Sequence, residues 1–349
     1  MKNKLLLSSA LLGSLVIGSL AQAQTTVTGG LALTYKSQSD MMEKSDSARG
    51  MGRESQINVQ NKGKLNNGMD YAAGFALEFD GGQATDASNE NVYIDIISGN
   101  TTLTVGVDHI QNTNRTRGVL VGNDAQDIHN GGIIGGSGFL QAVGSDPAQS
   151  MGIGIVQKTP VGSFSLNYVP TNGSGNNDLV AQQGATSQTV GQSIQGNGES
   201  AYEIGFAGDL GVKGLSAHAF YNKQEVTNLN AALGEDTTGT NIGASYQFGA
   251  VTVGYNYKET DGGATRGVKL DQDEFGLAYQ LTPNLSAGVN YTKMSTTTAG
   301  KVDAKSKSIA LGYNLGPVAA SAQYAKGSDV NNTSGEDMDV LYLRLSTAF

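Results

Sequence analysis

Histidine is the side chain best suited to moving protons near neutral pH, and this 349-residue chain has three: His109, His129 and His218. A Ser-His-acid hydrolase needs its histidine within reach of a nucleophile and of an orienting carboxylate. None of the three stands beside a recognisable motif of that kind. Cysteine is absent, which removes thiol nucleophiles, thiolate metal sites and disulfides. The run Gly131-Gly132-Ile133-Ile134-Gly135-Gly136-Ser137-Gly138 lacks the Lys-Ser/Thr and the strand-to-helix context of a phosphate-cradling loop. Charge is the remaining chemistry. The 31 Asp and Glu outweigh the 22 Lys and Arg, giving a net −9, and the clustered cations that bind nucleic acid are missing. Such carboxylates can act together as an electrostatic filter if the fold lines them along a narrow aqueous space.

What could line them up is a repeated strand. Before the repeat comes a leader: Lys2 and Lys4, an apolar stretch from Leu5 to Leu20, and the Ala21-Gln22-Ala23 cleavage pattern. Cleavage after Ala23 would leave a chain of residues 24–349 with no apolar run long enough for a spanning helix. From Thr25 onward, apolar and polar residues alternate with period two: Val27-Leu31-Leu33-Tyr35, Phe75-Leu77-Phe79, Ile242-Ala244-Tyr246-Phe248, Leu341-Leu343-Leu345 and many others. Sixteen such segments are expected. Despite 49 Gly there is no Gly-X-Y period, so collagen is excluded.

Between the apolar positions stand small polar residues rather than the Lys- and Glu-rich face of a soluble sandwich; Asn241-Gly243-Ser245-Gln247 is an example. Small polar residues suit a water-filled lumen, with the apolar face turned to lipid. Connections alternate between tight turns, such as Gly99-Asn100 and Thr282-Pro283-Asn284, and longer polar loops. Aromatic residues mark both strand ends: Tyr35, Phe79, Tyr168, Tyr221, Tyr257, Tyr291 and Tyr324 on the long-loop side, Phe248, Tyr279, Tyr313 and Phe349 on the other. An even strand count, alternating loop lengths and two aromatic girdles describe an all-β, transmembrane antiparallel sixteen-stranded barrel.

The mature chain resembles the sixteen-stranded trimeric porins of Gram-negative outer membranes. The cleaved leader, the terminal Leu345-Ser346-Thr347-Ala348-Phe349 and the stretch from Asn91 to Gly106 carry the resemblance. It implies that Phe349 is the signal for barrel insertion, that residues 110–150 are a third loop folded into the lumen, and that the protein is a homotrimer. It also implies an outer-membrane location among lipid and lipopolysaccharide, and passive diffusion of small hydrophilic solutes and ions without catalysis. Family members usually carry an arginine cluster on the early-strand wall. Parity here places Glu54, Gln56, Glu78, Asp95 and Asp108 on that wall and no Arg. The inward cations are Lys36, Lys158, Lys258 and Arg344. Arg115 and Arg117 open the third loop, with Asp124, Asp127 and Asp146 further along it. An acidic excess among inward residues predicts weak cation preference. No cofactor is expected, although Glu235-Asp236 and Glu336-Asp337-Asp339 are candidate oxygen ligands for Ca2+. A substrate-specific channel, a barrel-embedded hydrolase using one of the histidines and a soluble β-sandwich are the alternatives.

Overall fold

The computed structural model describes residues 23–40, 48–80, 88–107, 151–169, 200–225, 235–263 and 268–349. The period-two segments form sixteen strands. The first eight are β1 Gln24–Asp40, β2 Ala48–Lys64, β3 Asp70–Asp80, β4 Ser88–Ser98, β5 Thr101–Val107, β6 Met151–Thr159, β7 Gly162–Val169 and β8 Ala201–Gly208. The second eight are β9 Leu215–Gln224, β10 Glu235–Phe248, β11 Val251–Gly263, β12 Lys269–Thr282, β13 Leu285–Thr296, β14 Ala304–Asn314, β15 Val318–Ser328 and β16 Met338–Ala348. Each pairs antiparallel with its sequence neighbours, and β1 pairs with β16 from Gly30↔Ala348 to Asp40↔Met338, closing the barrel. Closure leaves no strand edge facing lipid, the condition for β-structure to cross a bilayer.

The links of two or three residues, β4–β5, β6–β7, β10–β11, β12–β13 and β14–β15, all lie at one end of the barrel. Two are two-residue hairpins that begin with glycine at positive φ, Gly99 at 58° and Gly249 at 59°, the first-position glycine of a type II′ turn. Of three register shifts among the described residues, two lie at the ends of β10 and β12; the third is between Gly74 and Ala76 of β3, where β4 gains a residue beside Asn91, whose φ of 52° marks the bulge. Tyr93 and Asp95 lie beyond it and keep inward parity.

The burial pattern is inverted relative to a soluble protein. In β14, Ala304, Ser306, Ser308 and Ala310 point inward and are buried, whereas Ile309 and Leu311 point outward and are exposed. Exposed Phe248, Tyr279, Tyr313 and Phe349 ring the short-turn end; Tyr168, Tyr221 and Tyr324 stand at the other. Among the described residues, no helix is long and apolar enough to cross a membrane.

Two contacts fix the ends of this wall. At the β1–β16 seam, Gly29 and Phe349 exchange backbone hydrogen bonds of 2.8 and 3.0 Å, and the Phe349 ring covers Gly29. The missing side chain of Gly29 thus has a use within one chain: its space is occupied by the terminal ring. At the loop end of β13–β16, Met294, Ala304, Ala325, Val330 and Val340 form an inward apolar cluster. The 3-10 turn Val330–Asn332 lies over it, held by Asn332 Nδ2 donating to the carbonyls of Met294 (3.1 Å) and Val302 (2.7 Å).

Candidate functional site

The inner wall is built from every second residue, and its early-strand sector holds Glu54 on β2, Glu78 on β3 and Asp95 on β4. Gln56 and Glu78 are cross-strand partners. Asp95 accepts a 2.6 Å hydrogen bond from the hydroxyl of Thr104, its partner on β5. Tyr93 also points inward: Gln60 donates to its hydroxyl, and its side chain lies against Gly74 and Gly106, where a Cβ would come within 3.1 and 2.7 Å of it. Only glycine at those two positions lets an aromatic ring lie along the wall.

Parity leaves no arginine on the described inward face of β1–β5, and the arginine of this sector comes from the last strand instead. Closure sets β16 beside β1, so Arg344 Nη2 reaches Glu54 Oε2 at 3.8 Å across β1. Lys36 lies on the same inward face of β1, half-buried between partners Tyr342 and Gly50. Among the described side chains, strand parity places Glu54, Asp70, Glu78, Asp95, Glu203 and Glu274 on the wall together with Lys36, Lys62, Lys64, Lys158, Lys258 and Arg344.

In the most connected part of the wall, on β7–β12, sequence reasoning named Lys258 but missed Glu203, Glu274 and the amides that join them. Lys258 Nζ lies 3.6 Å from Glu274 Oε1, both side chains nearly buried. Glu274 also accepts from Asn256 (3.2 Å) and Gln272. His218 Nε2 is 2.8 Å from Asn256 Oδ1 and 3.1 Å from Asn241 Oδ1, and its ring stacks on inward Phe220. Further round, Asn167 donates to Glu203 at 3.0 Å. Asn222, Asn256 and Gln272 are almost fully buried. The signal was available: Glu203 sits between outward Tyr202 and Ile204, and Glu274 beside outward Phe275, so the same parity rule marks both as inward.

Other expected positions fall elsewhere. Lys158 is inward but exposed, one residue before β6 ends at the short-turn rim. The Lys64–Asp70 pair (2.6 Å) occupies the same rim. Asp108, Arg115, Arg117, Asp124, Asp127, Asp146, His109 and His129 lie outside the described residues, as does the leader before Ala23. Of the acidic runs, Asp236 pairs with Lys223 at 2.6 Å. Among the described residues no group of three or more Asp, Glu, His or Cys could hold a metal ion.

This arrangement can do electrostatics and hydrogen bonding along an aqueous passage. His218 has amides, rather than a hydroxyl nucleophile and a carboxylate, as its hydrogen-bond partners. Among solved structures, the fold is similar to an anion-selective porin from Comamonas acidovorans (TM-score 0.68, 14% identity, 94% of this chain and 100% of that one). It is similar also to Salmonella typhi OmpF in complex with daunomycin (TM-score 0.64, 13% identity, 93% and 97%). A third is an in-vitro folded trimer form of the Vibrio cholerae outer membrane protein OmpT (TM-score 0.61, 13% identity, 94% and 99%). No curated protein matches at the sequence level. At such identities the likeness speaks for the fold, but the Gram-negative porin family description matches residues 8–333 directly. With sixteen closed strands, a lipid-facing apolar surface and a polar lumen beneath that match, the chain belongs to the Gram-negative porins of the bacterial outer membrane.

Proposed function

We propose that the barrel is a passive, non-enzymatic channel for small hydrophilic solutes and ions, weakly cation-selective and assembled as a homotrimer. The observation that carries the reading is the prevailing division of the strands into an outward apolar and an inward polar face around a closed barrel. Cation preference follows from position rather than number. Lys62, Lys64 and Lys158 stand at the short-turn rim, where bulk water screens them. Glu54, Glu78, Glu203 and Glu274 lie away from that rim, and Arg344 and Lys258 each stand beside one of these carboxylates. Residues 110–150 form the constriction, and residues 1–23 are the export leader; the start of β1 at Gln24 supports that boundary. Passive diffusion calls for no cofactor.

The test is planar-bilayer recording of the detergent-purified protein across a KCl gradient. The expected result is large conductance steps in groups of three and a zero-current potential of cation-selective sign. The opposite sign would overturn the selectivity, as in the anion-selective relative. A folded barrel without conductance would overturn the open channel. Deleting residues 110–150 should raise conductance; an unchanged value removes them from the constriction. A substrate-specific channel is the second reading, favoured by the buried amides on β9–β12, and saturable current block by one solute would establish it.

A further inference from the structure

Four lysines occupy the outward face near the long-loop end of β13–β15: Lys293, Lys305, Lys307 and Lys326. They continue the lipid-facing phase of Ile309, Leu311 and Tyr324, one or two steps beyond the apolar band. Register sets Lys305 opposite Lys293 and Lys307 opposite Lys326. Like charges directly opposite one another destabilise a sheet, so this arrangement calls for an anion. Lys293 has one in Asp303, at 2.9 Å. Asp339 is the β16 partner of Lys326, yet no ion pair joins them. Among the described residues, Lys305, Lys307 and Lys326 make no ion pair. The nearby acids are committed elsewhere: Glu259 and Asp271 to Lys269 (2.7 and 3.7 Å), and Asp273 to the Tyr255 hydroxyl (2.5 Å).

A groove of about 800 Å³ starts at Lys307 and runs across the same outward face to Leu215. Tyr255, Phe275 and Tyr291 form its upper rim, Val253, Leu277 and Val289 its lower rim, and the backbone of Gly254 and Gly276 part of its floor. Its walls are overwhelmingly apolar. Leu215 opens β9 beside a short turn, whereas Lys307 is the fourth residue of β14, toward the long-loop side. The groove therefore descends diagonally through the apolar band. It crosses five strand spacings, roughly 24 Å, enough for a fatty acyl chain.

We propose that the outward face of β9–β15 binds one phosphorylated lipid of the surrounding leaflet. Lys305, Lys307 and Lys326 hold the phosphate, and an acyl chain lies in the diagonal groove. A free anion would use the lysines but leave the groove without a role; the groove opening at Lys307 is what selects a lipid. This site rests on the placement of the barrel in the membrane and not on what passes through its lumen.

The test uses the full-length detergent-solubilised protein and native mass spectrometry, with dimyristoyl phosphatidic acid as probe. Dimyristoylglycerol and inorganic phosphate separate the contributions of tail and headgroup. Wild type should retain one phosphatidic acid. The triple Lys305→Gln, Lys307→Gln, Lys326→Gln should bind it about 100-fold more weakly, from roughly fivefold per lysine at a membrane surface. Lysine-to-arginine versions of all three should restore retention. Ala244→Phe, which fills the groove and leaves the lysines in place, should weaken retention as well. Undiminished binding by the glutamine triple overturns the site, and equal binding of inorganic phosphate or an inert Ala244→Phe overturns its assignment to lipid. Heat-modifiable gel mobility verifies that each variant is folded, and open-channel current is expected to be the same in all of them.

Discussion

Replacing Glu274 by Gln tests whether the late-strand network is both a structural element and a charge in the passage. The Lys258–Glu274 pair is 3.6 Å apart, with side chains only 11% and 8% exposed. At an effective dielectric near 20 their attraction is about 4–5 kcal/mol. Much of that offsets desolvation, but removing one partner strands the other, and such single removals cost about 3–5 kcal/mol. Gln keeps the shape of Glu274, so the loss should fall near the lower value, about 3 kcal/mol. Lys258→Met should cost a similar amount. The double variant Lys258→Met, Glu274→Leu removes both charges and should return to within about 1 kcal/mol of wild type. Selectivity should follow the same cycle with opposite signs. Glu274→Gln shifts the zero-current potential toward anions, Lys258→Met toward cations, and the double variant leaves it near wild type. Because the chain has no Trp, unfolding in urea is best followed by heat-modifiable gel mobility; a KCl gradient across a bilayer gives the potential. A double variant as unstable as either single one, or a Glu274→Gln channel with unchanged stability and potential, would refute the reasoning.

Three further outcomes are expected. In Gly29→Ala the new Cβ would lie 2.5 Å from the Phe349 ring and 2.7 Å from the Gln56 carbonyl oxygen; the seam should loosen by about 1–3 kcal/mol, read as a lower temperature of heat modification. Asn332→Ala withdraws the amide donor from the carbonyls of Met294 and Val302 and should cost about 1–2 kcal/mol in the same assay, with faster proteolysis of the Asp329–Asp337 connection. The Asp303 carboxyl, outside the strands, is held below its ordinary range by the hydrogen bond from Lys293. A lowered folded value means its stabilisation is present above the unfolded carboxylate pKa and is lost as pH falls through the folded value. Acid titration of stability should therefore be flatter in Asp303→Asn, and the difference should shrink in high salt because the pair is largely exposed.

The strands were legible because a sheet between lipid and water must alternate along every segment, and that alternation is local. Parity alone placed Glu54, Asp95, Lys258 and Arg344 on the inner wall. Two things escaped. Glu54 and Arg344 are 290 positions apart and meet only because the last strand returns to the first; periodicity shows both as inward but not as neighbours. Glu203 and Glu274 satisfy the same parity rule as the early acids, but periodicity does not show that each meets an amide or a lysine on a neighbouring strand. Tyr93 was hidden for a different reason. An inward aromatic looks out of place in a polar lumen until Gly74 and Gly106 are seen to be its cross-strand neighbours.

A barrel of this kind has no central core, so its stability must come from the wall itself. Part is the closed ladder of backbone hydrogen bonds, complete only when Phe349 meets Gly29. Part is the side-chain layer on the inner surface, where Asn256, Gln272, Glu274 and Lys258 are as buried as apolar residues in a soluble protein. The residues that set the electrical character of the passage are then also the ones that brace it. A single charge change there cannot alter selectivity without loading the wall, whereas a compensated pair of changes can. That coupling separates these positions from the rim lysines Lys62, Lys64 and Lys158, where charge can change with little structural cost and little influence on ions already in bulk water.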